Sequence, residues 1–253
     1  MDQIFDIYPM TDKPWYASWF DTPFYHTLYA KRDEGEAKAI LKSLLTYTGL
    51  VPPAHILDLA CGKGRFSFAM NQLGYKVTGL DLSSNNIEWA RKCHSAKGIT
   101  FVQGDMRQPF GEEAFDAVFN LFTSFGYFET DAEHLQAIES IHRALKPGGW
   151  VLFDFMNAEK VAQNLVECEE IERDGIHFSI YRKVENGYIV KDIEVDSPQG
   201  QYTFQERVRA LTPSDFKSWF EAAGLTWVEI LDVNSLRPFD PQNSDRMLVV
   251  GKK

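Results

Sequence analysis

From His55 to Phe155 the chain alternates short β-rich runs with stretches of helical apolar spacing, and this rhythm constrains the fold more than any other feature. Strands that return through helices build a mostly parallel sheet covered on both faces. The runs are 55–60, 75–80, 99–103, 115–120 and 150–155, with helical spacing over 65–73, 83–96 and 131–145. Ser83 or Ser84 is placed to cap the second helix. Lys146-Pro147-Gly148-Gly149 reads as a stop before the fifth strand, because proline cannot continue a helix.

Upstream, residues 33–49 carry Ala37, Ile40, Leu41, Leu44 and Leu45 on one helical stripe. Residues 8–29 hold Tyr8, Trp15, Tyr16, Trp19, Phe20, Phe24, Tyr25 and Tyr29, dense enough in rings to form a lid-like element. Past Asn157 the rhythm changes. Alternating runs at 176–182, 188–195 and 202–209, separated by Glu185-Asn186-Gly187 and Ser197-Pro198-Gln199-Gly200, predict an antiparallel meander. Thr212 and Gly224 bracket a helix over 213–223, and strands follow near 226–233 and 246–251. The expected organisation is an aromatic lid and helix (1–50), an α/β core (51–157), an inserted antiparallel β cap (158–210), and a helix with the last two core strands (211–253).

The 26 Lys+Arg against 36 Asp+Glu give a formal net charge of -10, which disfavours a nucleic-acid partner, since neutralising phosphates needs a basic face. No apolar stretch suffices to span a membrane and the N-terminus lacks signal-peptide regions, so a cytoplasmic location is expected. Cys61, Cys93 and Cys168 match neither a disulfide framework nor a zinc site, and read as small packing residues. The six histidines form no ligand pair, so no metal is expected; His26 and His177 lie in the segments predicted to cap the site. Tyr181, Arg182, Arg207 and Arg209 either line that cap or make ordinary cross-strand pairs.

The stretch Asp58-Leu59-Ala60-Cys61-Gly62-Lys63-Gly64-Arg65-Phe66-Ser67 places a glycine-rich turn between a strand and a helix, where backbone approaches a ligand closely. A dinucleotide fingerprint would have glycine at Ser67, and Asp58 would repel a pyrophosphate while suiting a cation. Asp81, 17 residues after Gly64, ends the second strand where an acid accepts from ribose hydroxyls; Asp105 follows the third. Three acids at the carboxyl ends of three successive strands mark a ligand crevice.

In order and spacing this series resembles the class I S-adenosylmethionine-dependent methyltransferases, in a bacterial small-molecule branch. Asp58-x-Ala60-x-Gly62-x-Gly64 resembles their first motif, with alanine at the first small position. Gly79-Leu80-Asp81, Gly104-Asp105-Met106 and Phe115–Asn120 resemble the next three. The resemblance implies a doubly wound, mostly parallel seven-stranded sheet of Rossmann-like methyltransferase type with its last strand antiparallel, plus the inserted cap. It further implies S-adenosyl-L-methionine as cofactor, with Ala60, Gly62 and Gly64 against the methionine portion, Asp58 holding the amino group and Asp81 the ribose. Leu82 would flank the adenine, Asp105 accept from its amine, and the Met106 backbone donate to the ring. Asn120 would face the transferring methyl. Tyr25, Tyr29 and Arg32 are candidates to reach the carboxylate or cover the cofactor, and Phe122, Phe125 or Tyr127 to stack on the sulfonium.

Methyl transfer to a nitrogen or oxygen of a small molecule is the expected function. It needs in-line placement and exclusion of water more than a dedicated base, so no catalytic residue is assigned. Asn120-Leu121-Phe122-Thr123 differs from the Asn/Asp-Pro-Pro-aromatic motif of nucleic-acid amino methylation. A non-catalytic binder of the same nucleoside is the alternative, with a nicotinamide-dependent oxidoreductase behind it.

Overall fold

The computed structural model describes residues 14–30 and 34–253, with the side chains of 34–37 also outside the description. In chain order the elements begin with α1 (Trp15–Trp19), α2 (Pro23–Leu28), α3 (Glu34–Thr48), β1 (His55–Leu59), α4 (Arg65–Gln72), β2 (Lys76–Asp81), α5 (Ser84–Cys93) and β3 (Ile99–Gln103). They continue with β4 (Phe115–Asn120), α6 (Asp131–Ala144), β5 (Leu145–Met156), α7 (Ala158–Gln163), β6 (Cys168–Arg173), β7 (Ile176–Glu185), β8 (Tyr188–Ser197) and β9 (Gly200–Arg209). Helix α8 (Pro213–Ala223), β10 (Thr226–Asp232) and β11 (Arg246–Lys252) complete the chain. Contacts divide it into two compact units, Met1–Arg32 with Val161–Ala210, and Asp33–Lys160 with Leu211–Lys253.

The larger unit is a seven-stranded sheet in the order β10-β11-β5-β4-β1-β2-β3. Strands β1 to β5 pair in parallel, while β11 runs antiparallel to both β5 and β10. Strand order therefore reverses between β1 and β4, the switch point where open α/β sheets bind ligands. The central strands are apolar because helices cover both faces. Leu41, Leu44, Ile56, Met70, Phe119 and Leu248 belong to one buried cluster. Phe125, Phe153, Phe216 and Trp219 pack ring against ring in another region, with Phe125 and Trp219 edge to face and the other pairs tilted.

Local signals behave as their chemistry requires. Ser83 accepts from the Asn86 amide, and Thr212 forms a capping box with Asp215. Gly224 ends α8 in the left-handed region at φ 83°. Strand β5 is a correction: it starts at Leu145, before the Pro-Gly-Gly stop, because Leu145 already pairs with Phe115. The ladder then shifts register between Phe115 and Ala117, where a proline without an N–H is tolerated.

The smaller unit holds a four-stranded antiparallel sheet, β6-β7-β8-β9, one strand more than the sequence reading. Strand β6, Cys-Glu-Glu-Ile-Glu-Arg, lacks apolar alternation, and the Asp174-Gly175 turn pairs it with β7. Trp19, Phe24 and Leu28 cover Phe178, Ile180, Ile193 and Val195. Within this contact Glu206 accepts from Trp19 Nε1 (2.7 Å), Tyr29 OH (2.8 Å) and Lys191 Nζ (2.8 Å). Burial raises the Glu206 carboxyl, but the Lys191 charge and these donors outweigh it and hold it below the ordinary value.

Two predictions follow from the packing. Gly64 sits at φ 77°, and a Cβ there would lie 2.5 Å from the Phe101 ring. Gly64→Ala should cost about 1–3 kcal/mol by overpacking, read as a lower urea midpoint and partly recovered by adding Phe101→Leu. In the smaller unit, Glu206→Gln strands the Lys191 charge and should cost about 3–5 kcal/mol, measured by hydrogen exchange of β8 and β9 amides. Because the native carboxyl is depressed, the wild-type margin should be full above the usual 4.5 and fade as pH falls below it.

Candidate active site

At the switch point the chain leaves β1 through residues in the left-handed region: Ala60 (φ 61°), Gly62 (φ 54°) and Gly64 (φ 77°). An added Cβ at Gly62 would meet nothing within 4 Å, so open space lies before this loop. Asp81, from the end of β2, ties the loop down: its carboxylate accepts from the Gly62 amide (2.7 Å) and the Ser83 amide (2.9 Å). The Cys61 amide donates to Leu80 O, again across β1 and β2.

Helix α4 begins after Gly64, which has no side chain to cap it. Asp58 supplies an acceptor from inside the sheet. It is 2% exposed, and its Oδ2 accepts from Ser67 Oγ at 2.5 Å. Burial, aided by the Asp81 charge, pushes its carboxyl up to about 6 against the opposing Ser67 bonds and Arg65 charge. Ser67, read in the sequence only as the residue replacing a third glycine, is thus the partner of the first acid.

The third acid is differently engaged. Asp105 accepts from the Arg107 amide, Nε and Nη2, and Arg107 Nη1 reaches Glu133 at 2.6 Å. Burial raises Asp105, but the Arg107 bonds and charge outweigh it and leave it below the ordinary value. Leu82 and Met106 follow these acids and are half-buried.

Asn120 ends β4 at 1% exposure and donates from Nδ2 to Leu59 O (3.0 Å) and Ser124 O (3.2 Å). Its Oδ1 is buried with no hydrogen-bond partner among the described residues. Phe122 and Thr123, both without glycine's freedom, adopt φ 60° and 54°. Each such residue costs about 1–3 kcal/mol, so the surroundings must hold the turn. The Phe122 amide donates to Asp154 Oδ2 (2.9 Å) and the Thr123 amide to Asp154 O (2.8 Å), while Asp154 is ion-paired with Arg246.

Several of the expected residues have other partners in the structure. Phe125 is 1% exposed and packs on Phe128, Phe153, Phe216 and Trp219, so its ring belongs to the core rather than the crevice. Phe122 already carries the Arg65 and Arg246 guanidiniums at 5.0 and 4.2 Å from its ring centre, which disfavours a third cation there. Tyr25 packs on Trp19 and Phe20, and Tyr29 bonds Glu206. Arg32, like Tyr8, lies outside the described residues. Cys93 and Cys168 are exposed and Cys61 half-buried, so two of the three are not packing residues. His177 pairs with Glu170 and Arg182 with Glu169, while Arg207 stacks on Tyr188. No group of three or more His, Cys, Asp or Glu among the described residues is arranged to hold a metal, and none of their helices is long and apolar enough to cross a membrane.

Residues 57–153, spanning β1 to β5, match the family described as Methyltransferase domain. Over 90% of its length the chain also shares the fold of an S-adenosylmethionine-dependent methyltransferase from Clostridium acetobutylicum ATCC 824, with a TM-score of 0.75, 18% identity and 95% of that chain covered. YqeM of Bacillus subtilis (strain 168) is 40% identical over 121 residues, 47% of this chain and 49% of that protein. The dTDP-3-amino-3,4,6-trideoxy-alpha-D-glucopyranose N,N-dimethyltransferase of Streptomyces venezuelae is 34% identical over 121 residues, 47% and 50% of the two chains. The chain thus spans about half the length of these curated relatives. Over nearly its whole length it shares the fold of the CcbJ methyltransferase from Streptomyces caelestis, with a TM-score of 0.75, 21% identity, and coverage of 95% and 98%. The methyltransferase-domain match over 57–153 counts against the nicotinamide-dependent reading, in agreement with Ser67 at the third small position.

The domain's first acid gives a prediction with opposed effects. Asp58→Asn keeps an acceptor for Ser67 but removes a buried charge, so it should raise the melting temperature at pH 7.5. Since the native carboxyl titrates near 6, above its ordinary 3.8, wild-type stability should increase as pH falls from above 6 toward 4. The variant should lose that dependence, as thermal melts across this range will show.

Proposed function

We propose that this chain transfers the methyl group of S-adenosylmethionine to a nitrogen or oxygen of a small molecule. The observation that carries the reading is the open space at Gly62, whose amide Asp81 holds, with Asp58 and Asp105 at the ends of the two strands that flank β2. A negative rim suits a cationic nucleoside, and a loop whose glycine lacks a Cβ leaves room for its methionine end.

The residue roles are proposed on the same basis. Asp81 would accept from the ribose hydroxyls while keeping the Gly62 amide, since each carboxylate oxygen has two lone pairs. Asp58 would face the methionine ammonium through the loop, with Ala60, Gly62 and Gly64 lining that end. Leu82 and the Met106 backbone would flank the adenine, and Asp105 would accept from its amine with Arg107 holding the carboxylate in place. The Asn120 Oδ1, buried without a partner, supports a donor arriving at that strand end, because an orphan acceptor costs about 1–3 kcal/mol.

The bound cofactor supplies an electrophilic methyl on a sulfonium. The protein's share is to orient, to exclude water and to hold the acceptor lone pair in line. The Streptomyces venezuelae relative methylates an amino sugar nucleotide, which favours amines at the head of an acceptor panel.

The test has two parts. S-adenosylhomocysteine should bind in calorimetry, and Asp81→Ala should weaken it at least tenfold, since hydrogen bonds to a charged acceptor are worth about 1.5–3 kcal/mol each. Radiolabelled methyl transfer to amino sugars, phenols and small acids should then identify an acceptor. Binding without any transfer would favour a non-catalytic binder, and absence of binding would overturn the reading.

A further inference from the structure

The turn after β4 is held more firmly than a connecting loop requires. Phe122 and Thr123 are consecutive left-handed residues with β-branched or aromatic side chains, a conformation that persists only when its surroundings over-determine it. The Phe122 amide donates to Asp154 Oδ2, the Thr123 amide to Asp154 O, the Met156 amide to Thr123 Oγ1 (3.0 Å), and Tyr127 OH to Thr123 O (2.6 Å). Asp154 is 1% exposed and takes Arg246 Nε and Nη2 on its two oxygens, and the Arg246 guanidinium lies 4.2 Å from the Phe122 ring centre.

We infer that Asp154 and Arg246 are a positioning pair whose task is to hold the Phe122–Thr123 turn, so that the Phe122 ring forms the acceptor-side wall of the methyl-transfer site and not a sulfonium contact. This rests on the function proposed above. Three observations carry it. The strands that bear the pair do not need it, since β5 and β11 are paired continuously from Arg246 to Lys252. A buried ion pair is a poor source of stability beside an apolar pair of similar volume, which directs attention to what it positions. The turn also starts two residues past Asn120, whose amide touches Leu59 O at the entrance to the glycine loop, and Phe122 is half-buried where Phe119 and Phe125 are fully buried.

The test uses the full chain labelled with 4-fluorophenylalanine, the Phe122 fluorine signal being assigned through Phe122→Leu. Adding S-adenosylmethionine should shift that signal. Asp154→Asn should broaden or move it and abolish the response, while affinity for S-adenosylhomocysteine stays within about threefold of wild type. Thr123→Gly on the Asp154→Asn background should restore the response, because glycine adopts the left-handed turn without support. Should Asp154→Asn fail to fold, Arg246→Lys, which keeps the charge and loses the two-pronged grip, carries the same expectations. A Phe122 signal that ignores the cofactor, that is indifferent to both substitutions, or that glycine fails to restore overturns the pair's role. Absent S-adenosylhomocysteine binding in the unsubstituted chain defeats the functional reading along with it, whereas binding with an unresponsive Phe122 defeats the pair alone.

Discussion

Helix α4 starts immediately after a residue that cannot cap it, and the larger unit is arranged around that fact. Gly64 must be glycine, since its φ is positive and Phe101 stands where a Cβ would go. The missing cap acceptor comes from Asp58 in the neighbouring strand, through Ser67. A carboxylate is therefore buried at the end of β1, against the desolvation that pushes it up to about 6. Asp81 repeats the arrangement from β2, holding the loop through the Gly62 amide.

Across the switch point the edge changes character. On the β1 to β3 side Asp81 takes backbone amides and Asp58 takes Ser67, while Asp105 is paired with Arg107. On the β4, β5 and β11 side the acid is Asp154, already matched by Arg246, and the ring beside it is Phe122 under two guanidiniums. The left-handed Phe122–Thr123 turn lies on the second side, where backbone strain is offset by bonds from a neighbouring strand.

Much of this was legible in the chain itself because it depends on short-range chemistry. Alternation with period two or 3.6, the glycines at 62 and 64, and the caps at Ser83 and Thr212 announce their elements through residues a few positions apart. The acids at 58, 81 and 105 were visible because each ends a strand. What escaped had no local signature. Strand β6 is charged and unalternating, and is a strand because Asp174-Gly175 folds it back on β7. The start of β5 was misplaced because Pro147-Gly148-Gly149 signals a break that pairing with Phe115 overrides.

The sequence by itself determined a mostly parallel sheet, a glycine-rich turn on its first strand and a row of acids along one edge. Those follow from backbone geometry and from side-chain spacing, which act over a few residues. Only the tertiary structure decided which partner each acid takes: Ser67 for Asp58, the Gly62 amide for Asp81, Arg107 for Asp105, and Arg246, 92 positions away, for Asp154. It also sent Phe125 into the core and left Phe122 at the edge, three residues apart in a segment whose composition treats them alike. The reason is that ion pairs and ring contacts are chosen by strand order, and strand order arises from the packing of the whole sheet.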